Sequence, residues 1–381
     1  WEQCKLGDVC DVYDGIHHTP DYQDNGIMFL SVENISTLTS DKFVSRDFFE
    51  QNYKIFPEKG DILLTRIGNV GTPNVVESTD KLAYYVSLAL LKAPKINSYF
   101  LCNLICTQEF KKELHRKTLT TAIPQKINKD EIRKITFFDS TSSDERKKIG
   151  SLLEKINFTI TLHEEKKQQL KCLKSALLQK MFAYKNKSGD PDVRFKGFDE
   201  RWERHMLNDL AIFNPKGTLP TSFEYVDLGS VIGVEMISHK TISKFDAPSR
   251  AQRLAQVGDL FYQTVRPYQQ NNYLFDNKDN AYVFSTGYAQ LRPLIDGYFL
   301  LCLVQTKSFV RKVMNACTGT SYPAINSQDL AQIGVNIPIN SKEQRLIGNL
   351  YKVIDNLIML YQQKLDDLNT IKQSLLQKMF I

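Results

Sequence analysis

The sequence has few of the features that mark membrane proteins and secreted domains. No apolar run approaches the roughly 18 residues of a membrane-spanning helix, so we expect no membrane association. The seven cysteines are odd in number and scattered, which indicates free thiols in the cytoplasm rather than a disulfide framework. Cys102 and Cys106 have helical i, i+4 spacing, and we interpret them as core residues. The alternative, a zinc site, would need further ligands.

Motifs of nucleotide and group-transfer chemistry are also missing. There is no GxxxxGK[ST] phosphate loop and no GxGxxG after a strand. Asn214-Pro215-Lys216 does not complete the Asn/Asp-Pro-Pro-aromatic motif of amino-methyltransferases. His17 and His18 could bind a metal, but no third ligand is nearby, and a polar loop is the preferred interpretation. We therefore predict a non-catalytic chain with no metal site and no cofactor of its own.

What the sequence does contain is an internal repeat. The hexapeptide LLQKMF occurs at 177–182 and again at 375–380, an offset of 198. At this offset, 170–183 and 368–381 agree at eight of 14 positions. Upstream, 143–157 and 341–355 share an Ile-Gly pair, and SYFLCNLICTQEF resembles GYFLLCLVQTKSF. The repeat, together with short β-like runs between helical stretches, predicts two α+β modules, each followed by a long helix.

The predicted boundaries follow from this repeat and from a Ser-Gly-Asp-Pro break after the first helix. They are module 1 at 1–143, a central helix at 144–183, a linker at 184–201, module 2 at 202–341 and a C-terminal helix at 342–381. The net charge of +6 lies in the helices, which carry nine basic against five acidic residues at 144–182 and six against four at 342–381. Only local patches of the modules could therefore attract nucleic acid.

Heptad spacing of apolar residues predicts that the two helices pair with each other. A helix of 39 residues would be about 58 Å long, and its narrow apolar stripe needs a partner. Two equivalent helices most simply associate through a pseudo-twofold, antiparallel contact. The alternative is that each helix lies separately on its own module. The predicted interface residues are Ile149, Leu152, Ile156, Leu170, Leu173, Leu177, Ile347, Leu350, Ile354, Leu357, Leu368, Ile371 and Leu375.

Three loop regions in each module are rich in side chains suited to DNA. Arginine can contact guanine, and asparagine or glutamine can contact adenine, each through two hydrogen bonds. Threonine, serine and lysine suit phosphates. Taken singly, each region could equally be an ordinary polar loop. The candidate DNA-binding residues are His17, His18, Thr19, Arg66, Asn69, Arg116, Lys117, Thr120, Thr121, Gln125, Lys126, Lys216, Arg266, Tyr268, Gln269, Gln270, Asn271, Thr318, Thr320, Ser321 and Tyr322.

The duplication, the two LLQKMF helix ends and the stretch PDVRFKGFDERWE at 191–203 resemble the DNA specificity subunit of type I restriction–modification systems, a host-defence family. The resemblance covers essentially the whole chain, but no RFKGF counterpart precedes Trp1, where we expect trimming. It implies two target recognition domains joined by two long helices that form an intramolecular antiparallel coiled coil. Each domain would read one half of a split double-stranded DNA site.

The same resemblance implies that the helices dock two methyltransferase subunits and that a motor-nuclease subunit joins the complex. AdoMet, Mg and ATP would then belong to these partners. Two other hypotheses stay open from the residues alone. One is a non-catalytic coiled-coil scaffold whose divergent modules bind proteins, which the neutral modules favour. The other is an enzyme with an unrecognised site, for which the sequence nominates no residue.

Overall fold

The structure is a computed structural model that describes residues 1–182, 191–278, 281–319 and 321–380. The chain divides into two compact units, which are described separately. Unit 1 comprises 1–164 and 363–381, and unit 2 comprises 165–362. The predicted helix ends at 183 and 381 and the linker segment 184–190 lie outside the described residues. The predicted domain limits stay a prediction, because the division into units cuts through both long helices.

Unit 1 holds short strands and helices ahead of the first long helix. They are β1 (Glu2–Lys5), α1 (Leu6–Val9), β2 (Asp11–Asp14), β3 (Ile27–Leu30), a 3₁₀ turn (Val32–Asn34), β4 (Phe43–Val44), α2 (Arg46–Asn52), β5 (Ile62–Thr65), β6 (Pro73–Val75), β7 (Leu82–Tyr84), β8 (Leu88–Lys92), α3 (Ser98–Ile105), α4 (Gln108–Lys117), α5 (Lys129–Arg133), β9 (Thr136–Asp139) and α6 (Ser143–Phe182), whose second half belongs to unit 2.

Unit 2 repeats this order with insertions. Its elements are β10 (Glu203–Met206), α7 (Leu207–Leu210), β11 (Ala211–Phe213), β12 (Ser222–Val226), β13 (Val231–Ile232), β14 (Glu235–Met236), β15 (Lys240–Ser243), β16 (Ala251–Leu254), β17 (Leu260–Gln263), a 3₁₀ turn (Pro267–Gln269), β18 (Tyr273–Leu274), β19 (Tyr282–Ser285), β20 (Tyr288–Pro293), α8 (Gly297–Val304), α9 (Lys307–Ala316), α10 (Ser327–Ala331), β21 (Gly334–Ile337) and α11 (Ser341–Met379), whose second half belongs to unit 1.

The sheets of the two units have matching topology. The antiparallel sheet β2-β8-β5-β6 of unit 1 has the same order as β11-β20-β17-β18 of unit 2. In the second sheet, β3 pairs parallel with β7 and antiparallel with β4, as β12 does with β19 and β15. Among the described residues, α2 is particular to unit 1, and β16 and the β13–β14 hairpin to unit 2. The α+β class and the internal duplication are therefore confirmed in the fold.

The shared Ile-Gly pair of the repeat has a steric cause. Gly348 of α11 packs against the start of α8, where Asp296 Oδ1 accepts a hydrogen bond of 2.8 Å from the backbone N–H of Phe299. Gly150 of α6 lies in the same way against Asn97, which caps α3. A Cβ atom at either glycine would overlap the capping oxygen. The missing side chain lets each long helix lie directly on its capped neighbour.

Replacing Gly348 with alanine is expected to destabilise unit 2 by about 1–3 kcal/mol, because the added Cβ displaces the cap of α8. A glycine-to-alanine change inside an unobstructed helix would instead stabilise it by about 1 kcal/mol. The matched control is Gly229→Ala, since the nearest atom to its Cβ would be at 3.4 Å. Denaturant unfolding of both variants checks this, and a Gly348→Ala protein as stable as the parent would refute the steric explanation.

Within each unit, the two long helices run antiparallel. In unit 2, Lys174 Nζ lies 2.5 Å from Asp355 Oδ1, and Lys167 donates to Gln362. From the first contact to the second, the residue number rises by seven in α6, from Lys167 to Lys174, and falls by seven in α11, from Gln362 to Asp355. In unit 1, residues 149–156 of α6 share a core with residues 375–380 of α11. The prediction of an antiparallel helix pair is confirmed, and none of the helices in the described part of the chain has the length and apolarity for a bilayer crossing.

Of the 13 residues predicted at the helix interface, nine are buried or half-buried and four are exposed. Ile149 and Ile156 lie in the core of unit 1, and Ile347 and Ile354 are buried in unit 2. Leu170, Leu177, Leu350, Leu368 and Leu375 are half-buried. Leu152, Leu173, Leu357 and Ile371 instead point outward, with 41%, 48%, 38% and 50% of their surface exposed.

The residues that replace them on the inner face are Leu153, Lys174, Ile358 and Lys372. Leu153 is fully buried because the start of α6 packs on the module core as well as on the other helix. Lys174 is on the inner face because Asp355 compensates its charge there. A prediction based on apolar residues places leucine rather than lysine at the interface, and it therefore chose Leu173, which points outward, instead of Lys174.

Candidate nucleic-acid interface

In unit 1, the loop after β5 and the loop between α4 and α5 meet. The backbone N–H of Gly68 donates to Gln125 O at 2.8 Å, and β-bridges join Lys126 to Ile67 and Leu119. Gly68 has φ of +83°, a conformation that favours glycine. Beside it lies a cleft of about 450 Å³ lined by Gly68–Pro73, Cys106, Lys111, Leu114, His115, Thr118 and Gln125. The structure thus brings the predicted residues Asn69 and Gln125 to one cleft.

Arg66 is placed differently from the sequence-based expectation. Its guanidinium donates to Asp14 through Nη1 and to Ile127 O through Nε at 3.1 Å, and its side chain is 7% exposed. Lys129 adds a second cation 3.9 Å from the same carboxylate. A buried arginine held in this way ties β2, β5 and α5 together. Its role in the structure is that of an internal ion pair, which leaves its donors aimed at protein.

The remaining predicted residues of unit 1 are exposed or half-buried around two areas. His18 packs edge-on against Phe48 of α2, with ring centroids 5.7 Å apart, and His17 and Thr19 are exposed beside it. These three residues do not line the cleft. Arg116 pairs with Glu113 within α4, and the neighbouring Lys117 is half-buried. Exposed on the loop that follows α4 are Thr120, Thr121, Gln125 and Lys126.

In unit 2, three predicted loops come together at the ends of β11 and β17. Asn214, which follows β11, donates to Ser327 Oγ at 3.0 Å. The backbone N–H of Arg266 donates to Pro323 O at 2.8 Å, and a β-bridge joins Val265 to Ala324. The exposed Lys216 follows Asn214 in the first of these loops. Thr318, Ser321 and Tyr322 are exposed, and Thr320 lies outside the described residues.

Arg266 and Tyr322 form the most distinctive pair of this interface. The guanidinium carbon of Arg266 lies 4.5 Å from the centroid of the Tyr322 ring, a cation–π arrangement. Arg266 has φ of +53° and Gln270 has φ of +56°, both in the left-handed region. Non-glycine residues in that region cost about 1–2 kcal/mol each. The fold thus holds a strained loop that presents an arginine and an aromatic ring at its surface.

Several amides that the sequence offered as DNA contacts are bonded inside the protein. Gln270 Nε2 donates to Gln305 O at 2.6 Å, and Gln305 Nε2 donates back to Gln270 O at 2.9 Å. Asn271 Oδ1 accepts from the backbone N–H of Gly233 at 2.8 Å. Gln269 Oε1 accepts from Gln263 Nε2, but this side chain, like Tyr268, is exposed. These bonds position the loop, and the surface that it presents is centred on Arg266, Tyr268 and Tyr322.

The two interfaces occupy equivalent places, but their arginines do not. The backbone N–H of Arg66 donates to Ser87 O as that of Thr264 donates to Gly287 O, so Arg66 corresponds to Thr264. Arg266 corresponds to Gly68, because each donates to the α4–α5 or α9–α10 loop. Likewise Val12 pairs with Leu91 as Phe213 pairs with the equivalent Leu291, so Asp14, the partner of Arg66, corresponds to Pro215 of unit 2. The frame is therefore repeated while its surface chemistry has diverged.

Lys111 and His115 line the cleft of unit 1 but were not selected from the sequence. Both belong to α4, four residues apart, and so share one face of that helix with Thr118 close by. The signal was available as i, i+4 spacing in a basic helix. Loop composition, from which the candidate residues were predicted, does not reveal a shared helix face.

Two cysteine thiols lie beside these surfaces. Burial raises the pKa of the Cys106 thiol in the cleft wall and that of Cys317 beside the unit 2 loops, which disfavours a thiolate nucleophile at either position. Across the described ranges of the chain, no three His, Cys, Asp or Glu side chains are close enough to hold a metal ion. The groups presented are arginine, lysine, amides, hydroxyls and aromatic rings, which suit nucleic acid.

Comparison with known proteins defines the class to which this fold and these surfaces belong. A family model described as the Type I restriction modification DNA specificity domain matches residues 1–172 and, a second time, residues 200–370. The chain belongs to this family of DNA specificity proteins. The resemblance inferred from LLQKMF and PDVRFKGFDERWE is thereby confirmed. A search of curated proteins gave no match.

Solved structures share the fold. One is the S subunit of a type I restriction–modification system from M. genitalium, with a TM-score of 0.70 and 14% identity over 100% of this chain and 96% of that chain. Another comes from a study of complex assembly and conformational transition of the type I R-M system, with a TM-score of 0.50 and 15% identity over 100% of this chain and 97% of that chain. At these identities the likeness concerns the fold alone.

Proposed function

We propose that this chain is the DNA-recognition subunit of a type I restriction–modification complex and that each unit reads one half of a split DNA site. The observation that carries the proposal is the repeated frame. In unit 1, the loop after β5 is hydrogen-bonded to the loop after α4. In unit 2, the loop after β17 is hydrogen-bonded in the same way to the loop after α9. Two such surfaces with different side chains suit two different half-sites separated by unread base pairs.

The chemistry at the two surfaces supports direct contact with bases. Arg266 can donate two hydrogen bonds to guanine, and Gln125 can bond adenine in the same bidentate way. The left-handed backbone at Arg266 also favours a functional role, since strained residues concentrate at binding sites. Lys126, Lys216 and the exposed threonines suit phosphates and would set the register on the duplex. Arg66 is not proposed as a contact, because its donors serve Asp14 and Ile127.

We further propose that the antiparallel helices dock two methyltransferase subunits and that a motor-nuclease subunit completes the complex. The helix pair supports this, because its outward face carries apolar side chains such as Leu152, Leu173 and Leu357. The residues nominated in this chain bind and orient DNA. AdoMet, Mg and ATP would be held by the partners, where methyl transfer and motor chemistry take place. The near-neutral modules suggest that these partners contribute much of the attraction to phosphate.

The test compares Arg266→Ala with Gln125→Ala in cells that carry this chain and its methyltransferase partner. Sequencing of methylated adenines should show roughly 5- to 150-fold weaker discrimination at one half of the site for Arg266→Ala, from the loss of one bidentate contact. Gln125→Ala should relax the other half. Arg201→Ala, at an exposed position in the segment before β10, is the control and should leave both halves intact.

Two results would count against this assignment. Unchanged methylation specificity in both variants would remove these two residues from the interface. The assembled complex could also be offered random duplexes, and failure to enrich any sequence would favour the alternative of a protein-binding scaffold. The neutral charge of the modules is the observation that favours a protein-binding scaffold.

A further inference from the structure

Each unit presents one large apolar side chain at the tip of an equivalent loop. Ile123 lies between α4 and α5 of unit 1 and is 100% exposed. Tyr322 lies between α9 and α10 of unit 2 and is 65% exposed. Apolar surface held in water forgoes the burial that stabilises a fold. Stability of the free chain therefore does not explain why both loops end in such a side chain.

Both loops are anchored at the base and project at the tip. In unit 1, β-bridges join Lys126 to Leu119 within the loop and to Ile67 in the loop after β5. In unit 2, the same two bridges join Ala324 to Thr318 and to Val265. An anchored base limits the conformational entropy that a projecting side chain loses when it binds. The arrangement thus presents one apolar group per unit in a defined place.

The surroundings of the two tips indicate the kind of ligand. The exposed residues around Ile123 include the polar or basic Thr120, Thr121, Gln125 and Lys126, and also Leu119, which is 46% exposed at the base of the loop. Arg266 stands 4.5 Å from the centre of the Tyr322 ring and covers one of its faces. Cations and hydroxyl donors suit phosphates, whereas an isolated apolar tip suits a narrow apolar slot. A duplex offers both, because anionic strands enclose stacked base rings.

We propose that Ile123 and Tyr322 are wedges that enter the base stack, one in each half-site, when this chain binds its target. This inference rests on the proposed function and goes beyond it by assigning residues that distort DNA rather than read base edges. Apolar wedges of this kind part neighbouring base pairs and kink the duplex. Tyr322 can replace the lost stacking with its own ring, whereas Ile123 can only fill the opened space.

The difference between the two wedges has a consequence for sequence preference. An aliphatic wedge that does not restore stacking should favour a base step that is easily opened, such as TA or CA. A tyrosine that stacks on the exposed base should be more tolerant of the step. Selectivity at base pairs that no hydrogen bond reads should therefore be stronger in the half-site bound by unit 1.

The test uses the full chain with its methyltransferase partner and a duplex carrying the site mapped by methylation. Each adenine in turn is replaced with 2-aminopurine, whose fluorescence rises when it is unstacked. The parent complex should show an increase at one position in each half-site. Ile123→Ala should lose the increase in one half-site and Tyr322→Ala in the other, each with binding roughly 5- to 150-fold weaker. Tyr322→Phe, which keeps the ring, should retain it.

Ile55→Ala removes an isoleucine that is 40% exposed elsewhere in unit 1 and serves as the matched control. Melting temperatures should be unchanged in Ile123→Ala and Tyr322→Ala, since neither side chain is buried. If the parent complex binds its site and both alanine variants keep the full fluorescence increase, the wedge inference is wrong and the proposed function stands. If the parent complex binds the site no better than random duplex, the proposed function fails and the wedge inference fails with it.

Discussion

Phe182→Ala is expected to lower the free energy of unfolding of unit 2 by about 3–5 kcal/mol, the range for truncating a buried phenylalanine. Phe182 ends the first LLQKMF segment and is 1% exposed. Its ring lies 5.4 Å from that of Phe299, 6.0 Å from that of Trp202 and 6.1 Å from that of Tyr351. Alanine would leave a cavity among three aromatic rings that cannot close it without moving the helix.

Phe380→Ala should have an effect of similar size in unit 1, because the second LLQKMF segment ends in the same way. The ring of Phe380 lies 5.2 Å from that of Phe100 and 6.1 Å from that of Trp1. Trp1 and Trp202, together with Phe100 and Phe299, are thus the paired surfaces on which the two helix ends pack.

Denaturant unfolding of the two variants is the measurement, with Phe158→Ala as the control. Phe158 belongs to α6 but is 69% exposed, so its loss should cost less than about 1 kcal/mol. If Phe182→Ala and Phe380→Ala were no more destabilising than Phe158→Ala, the repeated hexapeptide would not be a packing motif. The occurrence of the same hexapeptide at the end of both helices would then need a different cause, such as contact with a partner.

Arg194→Met is expected to destabilise unit 2 by about 3–5 kcal/mol, because it removes one partner of a buried ion pair. Arg194 belongs to the segment PDVRFKGF, and Nε lies 2.9 Å from Glu343 Oε1 while Nη2 lies 2.8 Å from Oε2. Glu343, in the first turn of α11, is 1% exposed. The segment that identified the family from sequence thus fixes the chain to the start of the C-terminal helix.

The double variant Arg194→Met/Glu343→Gln distinguishes this explanation from a general loss of packing. Removing the glutamate charge should recover much of the stability, because no uncompensated carboxylate is then buried. Arg345→Met, at an exposed arginine of the same helix, is the matched control and should change stability by less than about 0.5 kcal/mol. A double variant less stable than Arg194→Met would contradict the charge-pairing argument.

The architecture was predictable because repeats and helix periods are local properties of the sequence. The α+β modules, the long helices and their antiparallel pairing follow from an offset of 198 and from a sustained heptad. The register was predictable only in part. Leu173 fits an apolar heptad better than Lys174 does. Lys174 nevertheless faces inward because it forms an ion pair with Asp355, which is 181 residues away in the sequence. A contact at that separation leaves no signal in a local pattern.

DNA contact by the candidate loops stays a prediction, and the sequence did not show which of their side chains the fold uses internally. Arg66 and Arg266 look equivalent as isolated arginines after a strand, yet Arg66 is buried against Asp14 and Arg266 lies half-buried over the ring of Tyr322. Gln270 and Asn271 look like donors for DNA, yet both are bonded within unit 2. Composition shows which groups a loop carries. Only the folded structure shows which of these groups are bonded within the protein and which remain available to a ligand.

The most direct test of the central claim is to map methylated adenines in cells that carry this chain with its methyltransferase partner. The proposal that each unit reads one half-site predicts a split motif, with two short specified blocks separated by a gap of fixed length in which any base is accepted. A single contiguous motif would contradict the assignment of one half-site to each unit. Methylation without sequence preference would contradict DNA recognition by this chain altogether.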